Sequence, residues 1–504
     1  MASITDAIQL TLEQKIVPTI FESLWELDPV YPMIRRSSMK VTRNKGIGRG
    51  WNVLKTWATG VAGGAKFLSV AGGNVLSGPL GFNMYDTPQS FQAVDEVTTP
   101  AFIQTTVQLI EHRGNFYLPH QILRADRLNA SIGSVVAQNL KGVSDLLAQQ
   151  EASIFYSTSA STGELADIGD ASSNVANKTS PAADTAVMVF DLSGTDASGR
   201  VHRFRPGMMV DLYDSTGTTK RNSGYFLVID NVDPLDDKIH IRRVDGGTFQ
   251  VDTVLGGGVS YDTNGDDDII VIKDSVNQAP KGLESWIASG ADAASSSFFG
   301  IDVRNYSQFR SYVPSALNAA LTENLLNRHF AKFFESFPGQ KIDTMLTTMG
   351  VLIGFMDNLD SYNQAVASQP GRFRYDRNGQ ALTVEAGWEA FRYRFASRSV
   401  EIFTSTLSNS GTAYCGKIRG GGLTRYVPPP IPGAKVDSRF GTEVEFIAAI
   451  GGSGGMGGIF KHAHGTTGAT TDFVEAPFVR QWNVMPGMTS KNWMKLTGIT
   501  EVLG

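Results

Sequence analysis

Cysteine is nearly absent. Cys415 is the single one in 504 residues, which excludes a disulfide framework and a multi-cysteine zinc site. Long apolar runs are absent too: no stretch approaches the roughly 18 consecutive apolar residues of a membrane-spanning helix. The opening MASITDAIQLTLEQ has no basic residue, so no export signal is expected there. Charge is scarce, at 18% Asp, Glu, Lys and Arg against roughly 25% in an average soluble protein. The formal net charge of −5 argues against a dedicated nucleic-acid binder, which would carry a basic excess. Glycine, by contrast, is plentiful at 53 residues, and aromatics reach 10%, too many for a disordered chain.

The local scarcity of acid is sharper. Between residues 29 and 85 stand Arg35, Arg36, Lys40, Arg43, Lys45, Arg49, Lys55 and Lys66, ten glycines and no acid. WNVLKTW (51–57) alternates as a strand does. The stretch reads as a long basic hairpin with a glycine-rich tip. A loop of this length cannot bury a core of its own, and such loops are usually functional. Before it, residues 3–27 read as a short amphipathic helix, with Ile8, Leu12 and Ile16 at helical spacing.

Downstream, residues 100–123 alternate as one or two strands. Residues 126–156 carry the clearest helical period, with an apolar stripe from Leu128 to Phe155 and polar residues such as Asp145 and Gln149 on the other side. Residues 157–184 have loop composition. Between 185 and 275, AVMVFDL, GMMVDLYD, GYFLVID, KIHIRRV and DIIVI are short strands between turn signals, which predicts a small all-β barrel or sandwich inserted between loops. Pro314 marks an expected helix start, with Leu317, Leu321, Leu325 and Phe333 on one face. KIDTMLTTMGVLIGFMDNL (341–359) reads as a strand followed by a helix, and VEIFTSTL as a further strand.

Several motifs resemble chemistry without completing it. GGSGG (451–455) matches a nucleophile elbow built on Ser453, but poor helix material follows and no histidine lies beyond His464, so the hydrolase order of Ser, acid and His stays incomplete. His462 and His464 share a strand face without a third ligand at metal-binding spacing. DTNGDDD (262–268) opens like a calcium loop, but its sixth position is Asp267 and its twelfth Lys273. FRYRF (391–395) sets three aromatics on one strand face and Arg392 and Arg394 on the other. No catalytic residue, cofactor or metal site is expected.

The order of parts resembles the major capsid protein of tailed bacteriophages, of the Hong Kong 97-like fold, and FPGQKIDTMLTTMGVLIGFMDNL (337–359), RFRPGMMVDLYD (203–214) and KGLESWI (281–287) look like family phrases. The resemblance implies an α+β chain with peripheral and axial domains, an N-terminal arm, an extended loop, a long spine helix and an inserted small all-β domain. The arm would be 1–40, the extended loop 41–98, and the peripheral domain 99–184 with its spine helix 126–156. The inserted domain would be 185–280, the axial domain 281–435, and C-terminal strands 436–504 would return to the core. The implied function is a non-enzymatic shell, assembled in the host cytoplasm and found in the virion capsid. Its homo-oligomers would be pentamers and hexamers, with a scaffolding protein, a portal and in some members a decoration protein. The shell would enclose double-stranded DNA without sequence-specific binding and without a membrane. An encapsulin-like compartment is the alternative within the shell class, and a serine hydrolase using Ser453 is the alternative from another class. Inter-subunit contacts are expected at Arg43, Lys45, Arg49, Trp51, Lys55, Trp57, Lys66, Arg392 and Arg394. Some family members cross-link a loop lysine to a neighbour's asparagine; Lys55 and Lys66 lie in the matching loop, but no catalytic glutamate accompanies them, so no cross-link is expected.

Overall fold

The computed structural model describes residues 28, 34–37, 41–43, 51–58, 102–119, 142, 145–157, 163–167, 187–192, 201–246, 269–291, 297–366, 391–395, 398–429, 444–446, 461–462, 473–487 and 491–502, apart from 215–216, 223 and 277. The 3–27 helix, the hairpin tip, most of the 126–156 helix, the 262–268 acidic turn, GGSGG and His464 lie outside them. Helices and antiparallel-rich sheets are interleaved along the chain, an α+β arrangement.

The central sheet is organised by one long strand near the C-terminus, Phe473–Pro486. It pairs antiparallel with Ile110–Pro119 over ten residues, with Leu423–Tyr426, and with the shorter strands Val444–Phe446 and Lys461–His462. Arg35–Ser37 adds in parallel to Leu423–Tyr426. The 100–123 segment divides at Leu109: Phe102–Gln108 joins a separate three-stranded sheet with Trp51–Ala58 and Val41–Arg43, while Ile110–Pro119 enters the central one.

The described part of the long helix, residues 145–155, is buried on more than its apolar stripe. Leu147, Ala148, Ala152 and Phe155 enter one core, Ile154 another, and Gln149, Gln150, Glu151 and Ser153 are buried as well. The expected polar side therefore faces protein in this stretch. Burial of polar groups is tolerated only where partners exist, and they do. Gln149 donates to the His202 carbonyl, Gln150 bonds His112 at 2.9 Å, and Glu151 pairs with Arg425 at 3.1 Å.

The β-rich segment forms one open path of six strands among the described residues, in the order Glu164–Asp167, Ile269–Ile272, Met209–Tyr213, Leu227–Asp233, Lys238–Arg243, Val187–Asp191. All five expected strands are there, as an antiparallel sheet. Residues 164–167 correct the reading of 157–184 as loop: Leu165 and Ala166 are fully buried, and Glu164, Ala166 and Asp167 pair with Ile269–Val271. Four residues among small and polar neighbours leave too short a period to read. One sheet face, with Val210, Leu212, Leu227, Ile229, Ile239 and Ile241, makes a core of its own.

A third core lies under a five-stranded sheet, Phe391–Phe395, Arg398–Thr404, Thr344–Thr347, Ala413–Gly416 and Met494–Leu496 in that order. Thr344–Thr347 and Arg398–Thr404 run parallel, a pairing that needs a crossover, and the helix Met349–Val366 lies within that connection. The helix Glu323–Ser336 packs its Leu326, Phe330 and Phe333 stripe against this core. It begins at Thr322, whose hydroxyl accepts from the Leu325 N–H at 3.3 Å, rather than at Pro314. The intervening residues are taken by the C-terminus: Leu317 N–H bonds Thr497, and Tyr312 and Ala319 bridge Met494 and Ile499.

Candidate functional site

The root of the basic hairpin is fixed from inside. Strand periodicity sends Val53, Lys55 and Trp57 to one face, and all three are buried, whereas Leu54 and Thr56 face out. Trp57 meets Phe298 and Phe309 edge-on at 5.6 and 5.5 Å and donates its indole N–H to Thr105 Oγ1 at 3.0 Å. Lys55 lays its stem along this face. Its ammonium donates to the Pro486 carbonyl and sits 4.2 Å from the centre of the Trp57 ring, an interaction worth about 2 kcal/mol where water is excluded. Lys55 and Trp57, expected as contacts to neighbouring subunits, are thus held by their own chain. A lysine between two apolar positions of an alternating strand shares their face, and the alternation alone does not tell which face is inside.

The other expected contacts are placed by backbone only or fall outside the described residues. Arg43 and Trp51 are register partners where Val41–Arg43 meets Trp51–Ala58. Arg392 and Arg394 stand opposite Glu401 and Ser399. Lys45, Arg49 and Lys66 lie outside the described residues. On the same strand as Arg392, Tyr393 and Phe395 turn toward Phe330 and Phe334, which keeps these two rings out of reach of nucleic-acid bases.

A buried polar cluster links the cores. Arg203, fully buried, donates to the carbonyls of Leu165 (2.8 Å), Tyr156 (3.1 Å) and Leu407 (2.9 and 3.1 Å) and to Asn409 Oδ1. These acceptors come from the edge of the six-stranded sheet, the end of the long helix and the loop before Ala413–Gly416. Asn409 continues the chain of contacts to Glu284 at 3.2 Å and to the Tyr414 hydroxyl at 2.9 Å, and Lys495 pairs with Glu284. Burial, then the Glu284 charge, pushes the Tyr414 phenol well above its ordinary value; burial, then Asp28, does the same to Tyr156. Both shifts hold the phenols neutral, and the Tyr414 hydroxyl serves as a hydrogen-bonding strut to Asn409 and Glu284 rather than as a base. Burial likewise pushes the Cys415 thiol up, away from the thiolate a nucleophile requires. Among the described residues no group of three His, Cys, Asp or Glu could hold a metal ion.

A cavity of about 380 Å³ lies at one end of the three inner strands of the five-stranded sheet, lined by residues 339–343, Arg398, Ser399 and Lys417. Its charged residues are Lys341, Arg398, Lys417 and Asp343. Asp343 Oδ1 is already engaged, accepting from Ile418 N–H at 2.9 Å and Thr344 Oγ1 at 2.8 Å. Arg398 lies 3.7 Å over the Phe334 ring and donates to the Gln340 carbonyl at 3.3 Å.

No family model matches the chain, and no curated protein matches it in sequence. Solved structures do. The chain is similar to the capsid asymmetric unit of cyanophage A-1(L), over 95% of its own length and 93% of that chain, at 10% identity and a TM-score of 0.40. It is similar to the capsid of a native GTA particle over 92% of each chain, at 9% identity and a TM-score of 0.34. The holo-SrpI encapsulin complex from Synechococcus elongatus matches 40% of this chain and 58% of that one, at 11% identity and a TM-score of 0.21.

Sequence reasoning did not find the Arg203 junction. Arg203 and Glu284 lie inside the segments RFRPGMMVDLYD and KGLESWI, but no spacing links them to Asn409, Tyr414 and Lys495, more than a hundred residues away. The one local signal is the unusual charge in each apolar phrase. A charge there is either exposed or paired at depth, and only the fold decides between them.

Proposed function

We propose that this chain is a major capsid protein of a tailed phage, which assembles with copies of itself into an icosahedral shell around double-stranded DNA and performs no catalysis. The observation that carries this reading is the anchoring of the hairpin root. Lys55 and Trp57 fix both strands in the core, the cations from Arg35 to Arg49 lead up to this rigid base, and a glycine-rich run from residue 59 to 85, whose one charge is Lys66, starts from it. A long segment of that composition finds its burial on another molecule, and the same surface on every copy makes a repeating contact.

In this reading the fold is Hong Kong 97-like. The 1–40 arm and the 41–98 loop reach neighbours, and the long helix with the central sheet forms the peripheral domain. The five-stranded sheet with its two helices is the axial domain, and the six-stranded sheet is an insertion that starts at Glu164 instead of residue 185. Arg43, Lys45, Arg49, Trp51 and Lys66, with Arg392 and Arg394, remain the proposed inter-subunit contacts. A scaffolding protein, a portal and a decoration protein would be the partners.

The test is to express the full chain and image it by negative-stain electron microscopy. Shells, tubes or ring-shaped capsomers are expected, and they should weaken with salt because exposed charge pairs are screened. A chain that stays monomeric at high concentration, with its scaffolding protein present, refutes the proposal.

A further inference from the structure

The most exposed large apolar side chain among the described residues is Leu235, at 93%. Scattered apolar residues on a surface need no explanation, but this one stands on a rigid support. It lies in the turn between Leu227–Asp233 and Lys238–Arg243. Asp233 Oδ1 accepts from the backbone N–H groups of Leu235 and Asp236, at 3.1 and 3.3 Å. Pro234 fixes its own φ, Asp237 holds a left-handed φ of 49°, and its carbonyl accepts from Leu192 at 2.7 Å. The turn therefore presents a leucine ringed by Asp233, Asp236 and Asp237, with Lys238 as the adjoining cation, 3.1 Å from Asp236. A knob already ordered in this way loses little entropy on docking.

The 339–343 cavity has the complementary character. The Arg398 and lysine stems provide apolar wall, with Ile342 almost wholly turned into the core beneath, and Lys341, Arg398 and Lys417 outweigh the one carboxylate, Asp343, to leave the cavity net positive. We propose that the Asp233–Asp237 turn of one copy docks in this cavity of a second copy, with Leu235 entering and the aspartates facing the three cations. At 93% exposure Leu235 is not seated within its own chain, and each copy offers one knob and one socket: exchanged reciprocally the contact closes a two-fold pair, and used once per pair it closes into a ring or propagates. The inference rests on the shell-forming reading and names one contact within it.

The test exploits the buried state of Cys415. Leu235→Cys and Ser399→Cys, both exposed positions, are made in separate full-length chains, mixed under assembly conditions and mildly oxidised. A disulfide dimer that requires both variants is expected on a non-reducing gel. Thr219→Cys, exposed at the opposite end of the same sheet, should give none with Ser399→Cys. Adding Lys341→Glu and Lys417→Glu to the Ser399→Cys chain should lower dimer yield roughly tenfold or more, because like charges then face each other. Asp236→Lys on the knob chain should restore it. Particles that form normally while the knob–socket dimer is absent, and while Leu235→Ser assembles as well as wild type, overturn this contact and leave the shell reading standing. Wild-type chains that never assemble overturn both. If the Lys341→Glu, Lys417→Glu chain assembles normally and loses only its retention of DNA, the cavity is a polyanion site and the proposal fails.

Discussion

Replacing Arg203 with methionine tests the junction between the cores. Methionine fills most of the volume of the arginine stem, so the lost interactions are polar rather than steric. Four acceptors lose their donor: the carbonyls of Leu165, Tyr156 and Leu407, and Asn409 Oδ1. If two of them stay dry and unpaired, at about 1–3 kcal/mol each, the loss comes to about 2–6 kcal/mol. That is a large part of the roughly 5–15 kcal/mol by which a domain is stable. The effect should be local before it is global. Hydrogen exchange of the full-length chain should accelerate together in peptides covering 154–157, 164–167 and 405–409, which adjoin the guanidinium from three directions, and the urea midpoint should fall. Arg203→Lys, with one ammonium for four acceptors, should fall between. Unchanged exchange in all three peptides, with an unchanged midpoint, would refute the view that this guanidinium joins the cores.

Lys55 should resist amine acylation in the native chain while exposed lysines such as Lys341 react, as mass spectrometry of labelled peptides would read; equal labelling would place its ammonium outside. Lys55→Met should lower the urea midpoint by the equivalent of about 1–3 kcal/mol, since the Pro486 carbonyl loses its donor. Burial pushes the Tyr393 phenol up to about 12, so above pH 10 the unfolded chain releases a proton that the folded chain retains, and stability should fall as pH rises from 10 toward 12. Tyr393→Phe should flatten that alkaline limb in denaturation curves taken at several pH values. Burial, then Lys332 and Arg328, lowers the His329 pKa from 6.5, so the unfolded chain binds the extra proton first and stability should fall as pH drops below about 6.5. His329→Asn should reduce this acid slope, measured in the same way.

Elements with a sustained period were legible in the residues. WNVLKTW became a strand, five phrases between 185 and 275 became five strands, and 341–359 became a strand and helix. What failed was decided at a distance. Leu317 has helical spacing to Leu321, yet its N–H bonds Thr497 in an extended segment. Gln149 and Glu151 look like a solvated helix side until His202 and Arg425 arrive from other parts of the chain. Lys55 reads as a surface cation until Trp57 and Pro486 enclose it. In each instance local propensity is worth a fraction of a kcal/mol per residue, and the tertiary partner is worth more.

The long strand Phe473–Pro486 has a temporal consequence. Its ladder partners include Ile110–Pro119 and Leu423–Tyr426, and through the latter Arg35–Ser37. At roughly 5–20 residues per second of synthesis, the N-terminal strands wait tens of seconds for the strand that organises their sheet. Pairing over such sequence separation is also slow in itself. A nascent chain therefore has no finished central sheet until residues 473–486 have been made. The position of one strand thus works as a clock: strands made early stay unpaired in the central sheet until the strand that organises them has emerged.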